Sequence, residues 1–471
     1  MLAPGFGLWA SGLVRLRAWP GLKSDLARSP KPKAQSPKPV MKLSLIGGAG
    51  LRTPLLLNGL AASDLPIDEV ALFDVDRARL AVVADLARRK APRLHVTVPG
   101  TVEACVEGAG YVCISIRVGG IEQRARDEAI ALAHGVVGQE TCGAAGFAMA
   151  MRTIPHVLRY AAVVAERAPE AWIVNFTNPV GIVTQAISTT VTRRVVGICD
   201  TPGELFEDIA HVLDVPSKAC YFDYLGLNHL GWVREAYYRG VPQLGRLWND
   251  RAALERLYRA PLFDGAFLQQ LHLLPTEYLF YYYHPDRAVA NTRAAARSRG
   301  AVIEQLNAWL FEELAGHPPD PVAAYERYLA ARNGSYMQIE SGSPTSLARS
   351  PWAELTGYDK IALEVVSAIH GNTGAIIALN VPNRGNLPGL DDDDVVEVPC
   401  AVTANGPLPL HVGPVPAAVA DLVHGVKAYE RSTVDAALSG DRELAWRALA
   451  SNPLVPGRET ARALLDQLLP A

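Results

Sequence analysis

From residue 41 onward, short apolar runs alternate with longer segments in which apolar residues recur at helical spacing. The apolar runs predict five strands, at residues 42–46, 69–73, 111–116, 171–175 and 195–198. The segments between them predict helices, among them residues 54–62, 78–90 and 154–168. Strands that alternate with helices favour a parallel sheet with right-handed crossovers. We therefore predict an α/β fold whose N-terminal part is a Rossmann-like, doubly wound parallel sheet.

Beyond residue 220 the pattern is mixed. Residues 219–225 have the pattern of a strand, and residues 365–379 that of a helix passing into a strand. A second strand is predicted at residues 395–402, and amphipathic helices at residues 415–471. A chain of 471 residues exceeds the length at which one hydrophobic core stops growing. We expect a Rossmann-like domain of residues 41–220 and a mixed α/β domain, rich in helices, of residues 221–471.

The first forty residues differ from the rest of the chain. Arg15 and Arg17 interrupt their apolar stretch, which makes it a poor secretory signal, and a run rich in Ser, Pro and Lys follows. We expect residues 1–40 to be a disordered extension, or to precede a biological start at Met41. No window reaches the roughly 18 uninterrupted apolar residues that a membrane-spanning helix needs, so we expect no membrane partner.

Composition narrows the functional class. Apolar residues make up 49% of the chain and charged residues 20%, which is the balance of a soluble globular enzyme. The formal net charge of -3 argues against a dedicated nucleic-acid-binding protein. The six cysteines are scattered and form no CxxC pair, which indicates a reducing compartment and hence a cytoplasmic location.

A glycine-rich turn follows the first predicted strand at once. Gly47, Gly48 and Gly50 allow a tight turn and a close approach of the backbone to a pyrophosphate at a helix N-terminus. Asp74 ends the second strand, where an acidic side chain would bind the adenosine ribose hydroxyls. Glycine also serves tight turns for purely steric reasons, and Thr53 stands where the full motif has its last glycine. Strand, turn, helix and acid in this order nevertheless favour NAD binding.

Two possible metal ligands follow later strands. Cys199 ends the fifth predicted strand, and His229 lies in a strand-to-loop corner after Asn228. A thiolate and an imidazole that meet in one cleft would suit a divalent transition metal. By spacing alone, however, a buried apolar cysteine and a hydrogen-bonded core histidine are the better interpretation.

A series of short motifs, in order along the chain, gives a more specific indication. The motifs are Ile116-Arg117-Val118-Gly119-Gly120, Val137-Gly138-Gln139-Glu140-Thr141, Asn175-Phe176-Thr177-Asn178-Pro179, Cys199-Asp200-Thr201-Pro202, Asn228-His229-Leu230-Gly231-Trp232, Pro275-Thr276-Glu277-Tyr278-Leu279, and residues 395–400 and 451–454. This series resembles the family 4 glycoside hydrolases, and most of all their 6-phospho-β-glucosidase branch. The resemblance covers essentially all of residues 41–471.

The resemblance implies hydrolysis of 6-phospho-β-glucosides, such as cellobiose 6-phosphate or aryl and alkyl β-glucoside 6-phosphates. In this family NAD takes a hydride from C3 of the sugar, and a base then removes the acidified C2 proton. Elimination of the C1 substituent, addition of water and return of the hydride complete a net hydrolysis. The resemblance also implies Mn²⁺ or another divalent metal, and a homodimer or homotetramer. It gives residues 41–220 the NAD-binding role and residues 221–471 the substrate, metal and oligomerisation roles.

The matched motifs assign chemical roles to four side chains. Cys199 and His229 would hold the metal, and Tyr278 would be the catalytic base. Without the resemblance, Tyr278 would count as one more aromatic residue in a cluster that continues to Tyr283. Asp200 would be the acid toward the leaving group. Because that aspartate is typical of the phospho-α-glucosidase branch, whereas many β-specific members carry asparagine, the anomer stays open.

The same motifs assign substrate-binding roles. Arg117 and Arg299 would bind the phosphate through their guanidinium groups, although Arg297 could take the place of Arg299. Asn178 would bind sugar hydroxyls or phosphate, and it also suits a turn before Pro179. The segment Gly143-Ala144-Ala145-Gly146 replaces the glycine-proline-glycine that usually follows the Gln139-Glu140-Thr141 motif, so we expect a local difference in loop geometry.

Other functions remain possible at this point. The first alternative is a 6-phospho-α-glucosidase or another glycosidase of the same family. The second is an NAD-dependent 2-hydroxy acid dehydrogenase, which would accumulate NADH and need no metal. A non-catalytic NAD-binding sensor is the third, and the joint presence of Cys199, His229 and Tyr278 argues against it.

Overall fold

The fold is given by a computed structural model that describes residues 41–258, 260–295, 297–343 and 357–470. The predicted disordered extension, residues 1–40, lies outside the described residues. The strands of the described part are β1 (Met41–Ile46), β2 (Ile67–Phe73), β3 (His95–Thr97), β4 (Ala109–Ile114), β5 (Trp172–Asn175), β6 (Val195–Gly197), β7 (Cys220–Leu227), β8 (Leu230–Tyr238), β9 (Val241–Pro242), β10 (Leu274–Pro275), β11 (Ala375–Pro382), β12 (Val395–Thr403) and β13 (Gly406–Pro409).

The helices of the described part lie between and after these strands. They are α1 (Thr53–Ala62), α2 (Arg77–Lys90), α3 (Val102–Val106), α4 (Gly120–Ala133), α5 (Gly143–Arg167), α6 (Val180–Thr190), α7 (Thr201–Leu213), α8 (Arg251–Glu255), α9 (Gly265–Leu271), α10 (Phe280–Tyr283), α11 (Pro285–Ala294), α12 (Arg299–Ala315), α13 (Pro321–Gly334), α14 (Gln338–Ser341), α15 (Tyr358–Gly371), α16 (Ala417–Ser439), α17 (Arg442–Ser451) and α18 (Gly457–Leu468). Short 3₁₀ turns occur at Ser217–Ala219, Leu244–Arg246 and Glu277–Leu279.

The main sheet has nine strands in the order β13-β12-β11-β6-β5-β4-β1-β2-β3. Strands β1 to β6 are parallel, and their order on either side of β1 is that of a Rossmann fold. The predicted doubly wound parallel sheet is therefore confirmed. The order of the strands reverses between β1 and β4, which is where ligands bind in sheets of this kind.

Apolar sequence explains the parallel part of the sheet. The last four residues of β1 and of β4 are all buried, as expected for strands covered by helices on both faces. The five predicted strands and the first two predicted helices lie within about two residues of the observed elements. Strand β3 was not predicted, because only one of its three residues is buried and its apolar signal is correspondingly short.

The sheet also continues into the second half of the chain. Strand β11 pairs antiparallel with β6 through Asn380 and Gly197, and β12 and β13 extend that edge. The described residues from 41 onward belong to one compact unit. The strands of residues 375–409 therefore share a sheet with the predicted N-terminal domain, and the division at residue 220 stays a prediction.

A smaller antiparallel sheet is built on the hairpin of β7 and β8, with β9 and β10 pairing along β8. The hairpin is closely packed, because a Cβ atom on Gly231 would lie 1.9 Å from the hydroxyl oxygen of Tyr224. Its corner consists of Asn228 and His229, and His229 has a left-handed backbone with φ of 63°. The fold thus projects a histidine from a tight two-residue turn.

Helix α5 begins eleven residues earlier than its apolar periodicity predicted. Its first turn is made of small residues, and a Cβ atom on Gly146 would lie 2.4 Å from the carbonyl carbon of Thr141. The small residues let the helix start directly against the loop that carries Gln139, Glu140 and Thr141. In the described part of the chain no helix is both long and apolar enough to cross a membrane.

Candidate active site

A cavity of about 170 Å³ lies beyond the carboxyl ends of the parallel strands. Asn178 follows β5, Asp200 follows β6 and Arg52 follows the turn after β1, and all three line the cavity. His229 of the β7–β8 corner and Tyr278 of a 3₁₀ turn line it from the second sheet. The ends of the parallel strands and the β7–β8 hairpin therefore enclose one cavity, in the position where α/β proteins bind their ligands.

The structure brings most of the predicted catalytic and substrate-binding residues together. Five of the predicted residues line the cavity: Asn178, Asp200, His229, Tyr278 and Arg299. Cys199 is 3% exposed and immediately precedes Asp200. Arg117 lies elsewhere, in a smaller neighbouring cavity that shares Arg124 and Glu140 with the main one.

The glycine turn lies at the strand switch between β1 and β4. Gly47 has φ of 94°, and a Cβ atom on it would lie 2.0 Å from the carbonyl oxygen of Ser115. The amides of Gly47 and Gly48 both donate to the carbonyl oxygen of Phe73, at 2.9 Å each. Close packing between strands therefore requires glycine at position 47, as the steric interpretation of the motif proposed.

Asp74 is placed beside this turn. Its two carboxylate oxygens accept the amides of Ala49 and Asp76, each at 3.0 Å. The carboxylate remains partly exposed and keeps lone pairs that could accept ribose hydroxyls. With the switch point and the turn, Asp74 suits a dinucleotide, and Gly47, Gly48, Gly50 and Asp74 are the residues that would hold NAD.

His229 is held as a neutral, oriented ring. It is 6% exposed, and burial lowers its pKa to about 3. Its Nδ1 lies 2.8 Å from the hydroxyl oxygen of Thr141. Its ring stacks on that of Tyr278, with centroids 3.7 Å apart and planes 1° apart. A neutral imidazole with a fixed plane at the cavity wall has the properties of a metal ligand.

Cys199 is the second possible ligand. Burial, together with the carboxyl groups of Glu397 and Asp200, raises the pKa of its thiol well above the usual value. Its sulfur lies 4.0 Å from Oδ1 of Asp200. A thiol in such a setting gives up its proton when a cation takes its place.

The residues present fit a divalent metal with an open coordination shell. Among the described residues, no group of three or more His, Cys, Asp and Glu side chains is arranged to hold a metal ion. Cys199 and His229 would supply one sulfur and one nitrogen, which leaves positions for substrate oxygens and water, as catalytic metal sites require.

Four arginines line the cavity, and they differ in their partners. Arg52 lies 3.7 Å from a carboxylate oxygen of Asp200, and Arg124 pairs with two glutamates. Arg299 donates to the hydroxyl of Ser335 and, at 2.7 Å, to the carbonyl oxygen of Arg332. Within the described ranges, neither Arg299 nor Arg332 forms an ion pair with a carboxylate.

Arg332 was not predicted as a site residue. Burial and the nearby guanidinium of Arg52 lower the pKa of Arg332 to about 10, so it is charged near neutral pH. It lies on α13, in a helical region without a matched motif, and no local pattern distinguishes it from surface arginines. Only the folded structure shows that it faces the cavity.

Arg117, predicted to bind phosphate, already has an acidic partner. Its guanidinium lies 2.5 Å from a carboxylate oxygen of Glu140, and Arg124 lies 2.9 Å from the same oxygen. Burial would raise the pKa of Glu140, but Arg117 and Arg124 outweigh it and lower that pKa to about 2. The phosphate-binding role of Arg117 therefore stays a prediction.

A buried glutamate lies between the two segments that carry the proposed metal ligands. Glu397 of β12 is 1% exposed and accepts hydrogen bonds from Tyr224 at 2.6 Å, Asn380 at 2.8 Å and Asn228 at 3.2 Å. Burial raises its pKa to about 7, although the three donors lower it. Asn228 lies in the hairpin corner, and Asn380 neighbours the end of β6, so one carboxyl group ties both loops together.

Fold and site together define a Rossmann-type enzyme with an arginine-rich cavity beyond its strand ends. Residues 42–215 match the model of family 4 glycosyl hydrolases, and residues 224–455 match the C-terminal domain of the same family. The chain belongs to the family 4 glycosyl hydrolases.

Individual relatives are similar over nearly their full length. The chain is 31% identical to a probable 6-phospho-beta-glucosidase of Bacillus subtilis (strain 168), over 92% of this chain and 96% of the relative. It is 28% identical to the 6-phospho-beta glucosidase of Thermotoga maritima, whose structure was solved with manganese, NAD+ and glucose-6-phosphate. The two structures match with a TM-score of 0.77, over 91% of this chain and 98% of that one. A 6-phospho-alpha-glucosidase from gut microorganisms, solved with NAD and glucose-6-phosphate, is also 28% identical, with a TM-score of 0.74 over 91% and 97% of the two chains.

Proposed function

We propose that this chain hydrolyses 6-phospho-β-glucosides with NAD and a divalent metal, of which Mn²⁺ is our first choice. One observation carries the proposal. A single cavity is lined by a neutral histidine, a tyrosine stacked on that histidine, the aspartate that directly follows the buried Cys199, and two arginines for which the described residues offer no carboxylate partner. This set offers metal donors, a proton acceptor and an anion site in one place.

The proton-transfer roles fall to residues at the cavity wall. When bound, NAD supplies a reversible hydride acceptor, and the metal supplies a Lewis acid for the sugar oxygens. Tyr278 would accept the proton from C2, because its ring lies against His229 and its side chain lines the cavity. Asp200, which follows β6 and also lines the cavity, would donate a proton to the leaving oxygen.

Arg299 and Arg332 would form the phosphate site. Both line the cavity, and the hydrogen bonds of Arg299 to Ser335 and to the backbone of Arg332 hold its guanidinium in place. Arg299 is buried and Arg332 half-buried, and two such cations, which have no acidic partner among the described residues, are costly unless an anion compensates them. A sugar phosphate supplies that charge and accepts several hydrogen bonds from guanidinium groups.

The α-anomer is a second candidate, and Asp200 is the observation that favours it. The residue after the metal cysteine is an aspartate that lines the cavity, which is the pattern of the phospho-α-glucosidase branch. Both β- and α-specific relatives match the chain at similar identity. Stereospecificity therefore needs a direct test with both anomers.

The test compares four substrates with NAD and Mn²⁺ present: the α and β anomers of p-nitrophenyl 6-phospho-glucoside and their unphosphorylated counterparts. We expect release of p-nitrophenol from the phosphorylated β anomer only. Cleavage of the phosphorylated α anomer instead would replace the β assignment by the α candidate. Cleavage of unphosphorylated sugars alone would contradict the phosphate site, and net NADH formation without hydrolysis would favour a dehydrogenase.

A variant tests the phosphate site itself. Arg332→Met should reduce kcat/KM for the phosphorylated substrate by about 10- to 150-fold, the value of a hydrogen bond to a charged group. Arg327→Met is the matched control, because Arg327 lies on the same helix but pairs with Glu313. An equal effect of both variants would contradict the assignment of Arg332.

We further propose a cytoplasmic location and a homodimer or homotetramer. All six cysteines are unpaired, five of them buried, which suits a reducing compartment. Light scattering of the full chain would give the oligomeric state, and a monomer at assay concentration would contradict that part of the proposal.

A further inference from the structure

The loop before α5 contains a short chain of hydrogen bonds that ends on His229. The side-chain oxygen of Gln139 accepts the amide of Thr141 at 2.6 Å, the amide of Cys142 at 2.9 Å and the hydroxyl of Thr141 at 2.8 Å. The hydroxyl oxygen of Thr141 also lies 2.8 Å from Nδ1 of His229. The chain therefore runs from Gln139 through Thr141 to His229.

The direction of each bond follows from counting hydrogens. Backbone amides can only donate, so the Gln139 atom that faces them is its carbonyl oxygen. That oxygen has no hydrogen, so in its 2.8 Å hydrogen bond with Thr141 the hydroxyl is the donor and uses its only hydrogen there. The contact between Thr141 and His229 can then be a hydrogen bond only if Nδ1 of His229 donates. A neutral His229 consequently carries its proton on Nδ1, and its Nε2 has a free lone pair.

The loop is too tightly packed to rotate away from this arrangement. A Cβ atom on Gly138 would lie 2.6 Å from the carbonyl oxygen of Glu128, and one on Gly146 would lie 2.4 Å from Thr141. Gln139 is 7% exposed. On the other side of the contact, stacking on Tyr278 fixes the plane of the His229 ring. The hydrogen bond at Nδ1 and the stacking on Tyr278 together fix the orientation of the imidazole ring.

We propose that Gln139 and Thr141 are positioning residues that hold His229 as its Nδ1–H tautomer and present Nε2 to the metal. The proposal rests on the proposed function in naming a metal as the partner of Nε2. Ligand histidines are commonly oriented by a hydrogen bond at their other nitrogen, and loss of such a partner typically weakens metal binding by about 10- to 100-fold. Here the partner is a hydroxyl that is itself oriented by an amide oxygen.

The test uses Thr141→Val, which keeps the shape of the side chain and removes the hydroxyl, and Thr141→Ser, which restores the hydroxyl. Mn²⁺ binding to the full chain, followed by the electron paramagnetic resonance of free Mn²⁺, should weaken by about 10- to 100-fold in the valine variant. The serine variant should bind nearly as well as the parent chain. Thr153→Val is the matched control, since Thr153 is a fully buried threonine of α5 whose hydroxyl has no partner in the described part of the chain.

A second readout does not depend on metal or on activity. The ¹⁵N shifts of the His229 ring in the metal-free chain, identified by their loss in His229→Asn, should show Nδ1 protonated in the parent and Nε2 protonated in Thr141→Val. Protonation of Nε2 in the parent, or equal Mn²⁺ binding by the valine and parent chains, would overturn the proposal. If the parent chain binds no Mn²⁺, the proposed function fails, and the ring shifts still decide whether Thr141 selects the tautomer.

Discussion

Replacement of Glu397 by glutamine should change the pH dependence of stability in a way the structure specifies. The pKa of Glu397 rises from the ordinary 4.5 to about 7 in the folded chain, chiefly because the carboxyl group is buried. At about 1.4 kcal/mol for each tenfold change in the ionisation equilibrium, ionising Glu397 in the folded state costs about 3 kcal/mol relative to the unfolded chain.

The direction of the change in stability follows from the pH at which the folded and the unfolded chain each lose the proton of Glu397. Between pH 4.5 and about 7 the unfolded carboxyl group ionises while the folded one keeps its proton. The parent chain is therefore destabilised progressively as the pH rises through that window, and the cost is constant above it. Glutamine has no proton to lose, so Glu397→Gln should gain about 3 kcal/mol relative to the parent between pH 4.5 and 8.

Glutamine can also keep the hydrogen bonds. Its oxygen can accept from Asn228 and Asn380, and its amide can donate to the hydroxyl oxygen of Tyr224 in place of accepting from it. The remaining cost, about 1 kcal/mol for reversing that bond, does not depend on pH.

Urea unfolding of the parent and of Glu397→Gln at several pH values from 4.5 to 8 measures the difference. Glu312→Gln, at an exposed position of α12, serves as the control and should follow the parent. Parallel pH profiles for parent and Glu397→Gln would refute the view that Glu397 is protonated near neutrality.

Three further predictions concern the turn and the chemistry. Gly47→Ala places a Cβ atom 2.0 Å from the carbonyl oxygen of Ser115 at φ of 94°, and should lower the free energy of unfolding by about 2 kcal/mol or more. The control Gly100→Ala places its Cβ atom in open space and should leave that free energy unchanged. Equal melting temperatures for the two variants would contradict the packing argument. Tyr278→Phe should reduce kcat by about 10²- to 10⁴-fold while Mn²⁺ binding persists, and retained turnover would remove Tyr278 from the chemistry. Cys199→Ser should weaken Mn²⁺ binding in calorimetry, and unchanged affinity would exclude the sulfur as a ligand.

Much of the fold could be predicted because apolar runs report directly on buried strands. Strands β1, β2, β4, β5 and β6 each carry a short, mostly apolar run, and all five were predicted. The early start of α5 was missed, since the first turn has no apolar periodicity and its two glycines, Gly143 and Gly146, have low helix propensity. The antiparallel edge of the main sheet was also missed, because the predicted strand at 395–402 says nothing about which sheet it joins.

The site was predictable only where a residue belongs to a motif or ends a strand. Asn178, Asp200 and Tyr278 met one of these conditions, and the structure places them around the cavity. The supporting contacts join residues far apart in sequence, such as Thr141 with His229, 88 residues apart, and Tyr224 with Glu397, 173 residues apart. No local pattern encodes such pairs, because they depend on how the two sheets and α5 pack.

The central claim is that NAD accepts a hydride from C3 of the sugar during hydrolysis and returns it to C3 before the reaction ends. The most direct measurement is cleavage of p-nitrophenyl 6-phospho-β-glucoside with Mn²⁺ and with NAD in far smaller amount than the substrate. The same sample reports p-nitrophenol release and NADH absorbance. The account predicts complete cleavage without accumulation of NADH, and loss of cleavage when NAD or the metal is removed. Full cleavage without NAD, or NADH formed in step with the product, would contradict it.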